Sequence, residues 1–327
     1  DGNTSGTINA NSINTLSGSA ADLNTAYTSA GISGLNNEAV TLTDTSLAVS
    51  VLNDLDGRTS GTINANSINT LTGTATDLIT AFASGGINNL GATAVNVNSG
   101  SASTSQANNL AAATSGVVTA TISDGDMATL AGLTETGNAY TVTITDNSVA
   151  AAALNILDGK TSVAINASNI TTLTGAAADL NTAYTANGNG SITGLGNEAA
   201  TLSDTNLAVA VLNDLNSNTS GAINASSINT LLGTAADLNT AYAANGSGIT
   251  GLNDEAITLT DTTLNASALN ILDGNTSGTI NANSINTLTG TAADLITAYA
   301  ANGSGITGLG NEAINVNSGT ASISQAN

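Results

Sequence analysis

Residues 55–73 read LDGRTSGTINANSINTLTG, and residues 272–290 read LDGNTSGTINANSINTLTG. The two stretches differ only at Arg58 against Asn275 and lie 217 residues apart, and a third, partial version opens the chain over residues 1–16. No other feature limits the fold so strongly. A catalytic site is needed once per chain, whereas a structure that grows by adding like units rewrites the same text for every unit.

The anchor of the repeat is a five-residue block: apolar, polar, apolar, polar, then Asp, Ser or Asn. It begins at Ile8, Val40, Ile63, Val95, Ala120, Val142, Ile165, Ala200, Ile223, Ile257, Ile280 and Ile314. Short and long spacings alternate, 32 then 23 residues at the start, except between residues 95 and 165. Strict alternation is the mark of a strand with one buried face, so the first and third columns (Val40, Leu42) are expected inside and the second and fourth (Thr41, Thr43) outside. The fifth column holds residues that cap helices and make turns.

Between blocks the period changes. TAADLNTAYAANG (234–246) opens on Thr234 with Asp237 three residues later, a variant of the capping box, and stops at Asn245-Gly246. SLAVSVLNDLDG (46–57) sets Leu47, Val51, Leu52 and Leu55 on one helical face and ends at Gly57, read as a helix stop with the glycine in the left-handed region. Strands joined by helical crossovers pair in parallel with a right-handed connection. The expectation is an α/β solenoid: a right-handed stack of about twelve coils, one parallel β-sheet face and short helices opposite, the coil averaging about 28 residues. The rival is an all-β parallel β-helix, with GITGL (248–252) as an added strand. Residues 1–327 read as a single continuous array with a higher-order repeat of 217 residues (56–272, then 273 onward). Because SGTASISQAN (318–327) mirrors SGSASTSQAN (99–108), a fragment of a longer array is expected.

Composition narrows the function. Hydrophobic residues make up 41% but aromatics only 2%, so the core must be thin and regular. With 23 acids against two bases, Arg58 and Lys160, the net charge is −21; there is no basic footprint for nucleic acid or anionic membrane. No apolar run of 18 residues offers membrane insertion. Cys and His are absent, which removes disulfides and the usual acid–base and nucleophilic machinery. An enzyme is not expected.

The TLTD and INAN strands, the TAADLNTAYAANG helix and the Thr/Asn/Ala/Gly composition resemble the repeat regions of giant secreted bacterial surface and adhesin-type proteins, marine cyanobacterial ones among them. Leucine-rich repeats share the expected architecture but not the motif. The resemblance spans the whole chain and is one of repeat style. It implies an extracellular or cell-surface filament, coat or adhesin stalk, a structural protein whose partner is itself, with any glycan or surface receptor unspecified.

Several residues are weighed for chemistry. Asp54, Asp56, Asp158 and Asp273 sit in Gly-ended turns that loosely resemble a calcium loop; the copies drift to Ile156 and Ile271, so a plain helix stop is preferred and no cofactor is expected. Asp44, Asp124, Asp146, Asp204 and Asp261 form either an acidic ladder or a set of caps, with capping preferred. Asp254–Glu255 is read as a solvated pair on a surface turn. Tyr27, Phe82, Tyr184, Tyr242 and Tyr299, each five residues after an Asp, are either a sugar-binding strip or core packing, the latter preferred. The outward strand columns, Thr41, Thr43, Asn64, Asn66, Thr143, Thr145, Thr258, Thr260, Asn281 and Asn283, carry no charge. They suit a lateral contact face between molecules; the alternative is a binding module for ice or carbohydrate.

Overall fold

The twelve anchor blocks do fold as strands, and helices separate them. The computed structural model describes residues 2–317. Its helices are α1 (Ala20–Thr28), α2 (Val49–Asp56), α3 (Ala75–Ala83), α4 (Thr104–Ala113), α5 (Met127–Leu130), α6 (Ala151–Asp158), α7 (Ala177–Asn189), α8 (Val209–Asn218), α9 (Ala235–Ala244), α10 (Ala266–Asn275) and α11 (Ala292–Ala301). The all-β alternative is therefore set aside. The chain divides into two compact units, Asp1–Thr145 with Ile156–Asn166, and Asp146–Asn155 with Ala167–Asn327.

Local chemistry explains where helices start and stop. At α9 the Thr234 hydroxyl accepts from the Asp237 N–H (3.1 Å) and donates to the Asp237 carboxyl (2.7 Å). Ser19 does the same with Asp22 at α1, Thr74 with Asp77 at α3 and Thr291 with Asp294 at α11. Such caps are worth about 1 kcal/mol each. Helix α9 ends where Asn245 turns extended and Gly246 takes φ +92°. Two expectations change at α2. Ser46–Ala48 is a strand, because Leu47 pairs with Leu71; the buried helical face is Val49, Leu52 and Leu55, with Val51 half-buried. Gly57 is right-handed (φ −72°) and closes the helix by donating to the Asn53 carbonyl, so no left-handed cap is present there.

In the first unit, parallel ladders run Thr15–Gly18, Ala39–Leu42, Ile63–Asn64, Ile87–Asn88, and Ser46–Ala48, Thr70–Gly73, Ala94–Val97, Val118–Thr121, Ala139–Thr141. In the second, one runs Asn206–Ala208, Thr230–Gly233, Ala256–Leu259, Ile280–Asn281, Ile306–Thr307, and two more run alongside it in chain order. Parallel pairing is as expected; a single sheet is not what forms. Anchor blocks pair across the short spacing, as Val40 with Ile63 and Ile257 with Ile280. Across the long spacing the partner is an added strand: Ile8 pairs with Ile32, Ile63 with Ile87 and Ile280 with Ile306. GITGL supplies one of these, Ile249–Thr250. The ladders step by about one chain turn of constant length while the sequence units alternate in length. Each ladder therefore begins on a strand just before a helix and ends on a strand just after one.

The inside–outside register holds. Val40 and Leu42 are buried while Thr41 and Thr43 are exposed. The largest fully buried side chains are mainly Leu and Ile, among them Leu52, Leu55, Ile63, Leu71 and Leu78. With such small fillers, adjacent coils approach closely: at Gly73 (φ +154°) a Cβ would lie 2.5 Å from Val49 Cγ1. The helices are also clamped by side-chain amides. Asn24 Nδ2 donates to the Val51 carbonyl (3.0 Å), Asn53 to Asp77 (3.0 Å), Asn213 to Asp237 (3.0 Å) and Asn239 to Ala268 (3.1 Å). Each such bond contributes about 1 kcal/mol. The result is a solenoid-like α/β repeat.

Candidate functional site: buried polar junctions between coils

The polar strand columns are outward but not an unbroken array. Thr41 pairs with Asn64, Thr258 with Asn281 and Thr143 with Asn166. Thr43, Thr145 and Thr260 are exposed beyond the strand ends. The Asn rungs are engaged in turns: Asn64 Oδ1 accepts from the Asn66 N–H (3.1 Å) and from Asn89 Nδ2 (2.8 Å), and Asn281 Oδ1 from the Asn283 N–H (3.1 Å). These side-chain-to-backbone bonds end the strand after two residues.

The acidic turns do not converge on a shared point. Asp54 is exposed, Asp158 and Asp273 are half-buried, and Asp56 accepts from the Ser84 hydroxyl of the next coil (2.7 Å). Among the described residues no three acidic side chains come together as a metal group. The fifth-column acids act across coils rather than on their own helix. Asp44 accepts from the Ala20 N–H (2.8 Å), Asp124 from Thr104 (2.7 Å), Asp204 from Ala177 (2.7 Å) and Asp261 from Ala235 (2.8 Å). Each completes the cap of the preceding helix, where a carboxylate also suits the positive end of the helix dipole.

The most elaborate chemistry lies where an acid was read as solvated. Glu255 is 1% exposed, as is Glu198, and Glu38 is fully buried. Each accepts from a tyrosine of the preceding helix: Tyr27 to Glu38 (2.9 Å), Tyr184 to Glu198 (3.3 Å) and Tyr242 to Glu255 (2.8 Å). Each also accepts a backbone N–H two residues earlier, from Asn36 (3.2 Å), Gly196 (2.8 Å) and Asn253 (3.0 Å). A buried acid is tolerated only with donors arranged in this way. The aromatic rings thus pack inside, as preferred, but are held by their hydroxyls as well as by area.

A Thr-Ser-Gly tripeptide of the following coil closes each site. Thr59 donates to the Glu38 carbonyl (3.0 Å), Thr219 to Glu198 (3.4 Å) and Thr276 to Glu255 (3.3 Å). The Ser60, Ser220 and Ser277 N–H groups donate to the carbonyls of Asn36 (2.8 Å), Gly196 (2.9 Å) and Asn253 (2.9 Å). A Cβ on Gly61, Gly221 or Gly278 would run into the same glutamate carbonyl, so only glycine fits. This accounts for the duplicated text: LDGRTSG and LDGNTSG are copies of the piece that seats on the glutamate turn. Burial, with the Glu38 carboxyl adding to it and the Thr59 hydroxyl opposing it, pushes the Tyr27 hydroxyl up to about 12. Burial likewise pushes Tyr184 to about 12 and Tyr242 higher still. Hydroxyls so far above neutrality are structural donors, not bases. The signal missed in the sequence was the Asn/Asp-Glu-Ala recurrence at 37–39, 197–199, 254–256 and 311–313.

Elsewhere, a shallow cleft of about 300 Å³ lies between Thr114–Val117 and Glu135–Asn138, with Glu135 its one charged side chain. Among the described residues no helix is long and apolar enough to cross a membrane. No protein-family model, no curated protein and no solved structure matches the chain.

Proposed function

We propose that this chain is a structural segment of an extracellular fibre, surface coat or adhesin stalk, a right-handed stack of about twelve coils that associates with itself. One observation carries the reading: the chain's distinctive polar residues are spent holding one coil on the next. The asparagine clamps, the aspartate caps and the tyrosine–glutamate–Thr-Ser-Gly junctions all point between coils, and none is assembled around an empty centre. A protein selected for a ligand concentrates such groups at one place; one selected for length and stiffness repeats them. The charge of −21 keeps molecules soluble and apart, while the uncharged Thr/Asn columns offer a face where that repulsion is weakest. Salt should therefore promote lateral bundling. Electron microscopy and light scattering of the native protein across ionic strength test this: filaments or bundles growing with salt are expected, and isolated short particles at every salt concentration would overturn it.

A further inference from the structure

The junctions come in complementary halves, and two halves are open. Five Thr-Ser-Gly tripeptides occur, at residues 4–6, 59–61, 114–116, 219–221 and 276–278. Four are seated: three on glutamate turns and the fourth through Thr114, which donates to the Thr93 carbonyl (2.6 Å). Thr4, Ser5 and Gly6 are exposed. Their conformation is already that of the seated copies. The Gly6 N–H donates to the Thr4 hydroxyl at 3.1 Å, against 3.0 Å for Gly61 to Thr59, 3.0 Å for Gly221 to Thr219 and 2.9 Å for Gly278 to Thr276.

The opposite half is at Tyr299 and Glu312. The tyrosine hydroxyl donates to the carboxyl, which also accepts from the N–H groups of Gly310 (2.8 Å) and Asn311 (3.0 Å). Burial acting on Glu312 is outweighed by these donors, which hold its carboxyl below the usual range. Yet Glu312 is only half-buried where Glu38, Glu198 and Glu255 are sealed. The strand that follows, Ala313–Val316, leaves Ile314 52% and Val316 54% exposed. In the equivalent strand Ala256–Leu259, Ile257 and Leu259 are 1% and 2% exposed, and Ile257 pairs with Ile280 just past a seated Thr-Ser-Gly.

We infer that Thr4-Ser5-Gly6 and the strand Ile8–Asn9 of one copy seat on Tyr299, Glu312 and the strand Ala313–Val316 of a second copy. This deepens the structural reading above and rests on it. The contacts follow from the closed junctions: the Ser5 N–H to the Gly310 carbonyl, the Thr4 hydroxyl to the Glu312 carbonyl, the Ile314 N–H to the Thr7 carbonyl, and Ile8 beside Ile314. Both halves are pre-formed, so little ordering cost opposes docking. The interface is head-to-tail, which grows filaments or closes rings rather than stopping at a two-fold dimer.

The chain has no cysteine, so the junction can be trapped without background. Two full-length variants, Ser5→Cys and Asn311→Cys, are mixed and mildly oxidised; pairing across variants cannot arise within one chain. Cross-linked heterodimers in large excess over either homodimer are expected. The second variant is Gly6→Ala. In the free chain its Cβ meets only Thr4 Oγ1 at 3.5 Å, so folding is untouched, whereas docked it would strike the Glu312 carbonyl. Sedimentation velocity should show association weakened at least about tenfold, a loss of roughly 1.4 kcal/mol or more, with an unchanged circular dichroism spectrum. Heterodimers no commoner than homodimers, or Gly6→Ala associating like the parent, overturn the junction. If salt-driven bundling persists in that case, the fibre reading stands without it; a parent chain that never associates removes both.

Discussion

The junctions at Tyr27–Glu38 and Phe82–Thr93 have the same spacing, eleven residues from ring to partner, and the same Thr-Ser-Gly seat. Thr59 donates to the Glu38 carbonyl and Thr114 to that of Thr93; Ser60 and Ser115 donate to Asn36 and Gly91. They differ by one hydroxyl and one carboxyl, and the two change together. Where the ring loses its donor, the acid becomes a threonine, 2% exposed, whose hydroxyl donates to the Ile68 carbonyl (3.1 Å). A carboxyl sealed between coils needs the tyrosine; without it a smaller group satisfied by backbone is the stable choice. Three further tyrosine–glutamate pairs occur, so the chain is its own comparison series. The pairing, not either residue, is what the fold requires.

The largest effect should come from forcing the wrong partner. Thr93→Glu buries an acid opposite Phe82, which has no hydroxyl to offer, and should destabilise the first unit by about 3 kcal/mol. Adding Phe82→Tyr should restore about 2 kcal/mol of that. Because a repeat array need not unfold in one step, local hydrogen exchange at Ser115 and Gly116 is the better readout, supported by the urea midpoint. A double variant no more protected than the single one would break the comparison.

The reverse exchange is next in size. Glu38→Ala strands the Tyr27 hydroxyl and the Asn36 N–H and should cost about 2 kcal/mol. Glu38→Thr combined with Tyr27→Phe copies the other junction and should cost less than the single change does. Exchange at Ser60 and Gly61 reads this out, and equal loss in both would mean that the pair does not act as a unit.

Tyr27→Phe alone comes third, at about 1 kcal/mol. It leaves Glu38 with the Asn36 N–H but without its side-chain donor. Together with the variants above it completes a double-mutant cycle, and a coupling near zero would show that the hydroxyl is incidental.

The strands, their inside and outside faces and the Thr234-type caps were legible because each depends on a few adjacent residues. Val40, Thr41, Leu42 and Thr43 state their own register. The single sheet was not legible correctly, because ladder membership depends on the step between coils. Ile32, Ile87 and Ile192 fall outside the anchor pattern although each is a strand. Leu47 reads as helical from its spacing to Val51 and Leu55, yet it belongs to a strand because Leu71 lies beside it. Glu255 looks solvated next to Asp254, since nothing within a few residues shows its partners; they come from α9 and from the following coil. The substitutions at Phe82 and Thr93 did carry that information, in a form visible only when two columns are read together.

The last prediction has no effect at neutral pH and concerns ionisation. Tyr27, Tyr140, Tyr184 and Tyr299 are each pushed up to about 12, mainly by burial, and Tyr242 further. An unfolded tyrosine ionises near 10. Folding favours the protonated form, so this contribution is complete below pH ~10. It falls as the pH rises from ~10 towards ~12, where unfolded tyrosines have released their protons and folded ones have not. Absorbance at the tyrosinate band, followed with near-ultraviolet circular dichroism, should show five late-titrating tyrosines and loss of structure in that window. The Phe82→Tyr, Thr93→Glu double variant sharpens the test, since its sixth tyrosine should titrate late with the others. If that tyrosine ionises near 10 while the protein stays folded, the transplanted pair has not closed, and sequence covariation alone does not make a junction.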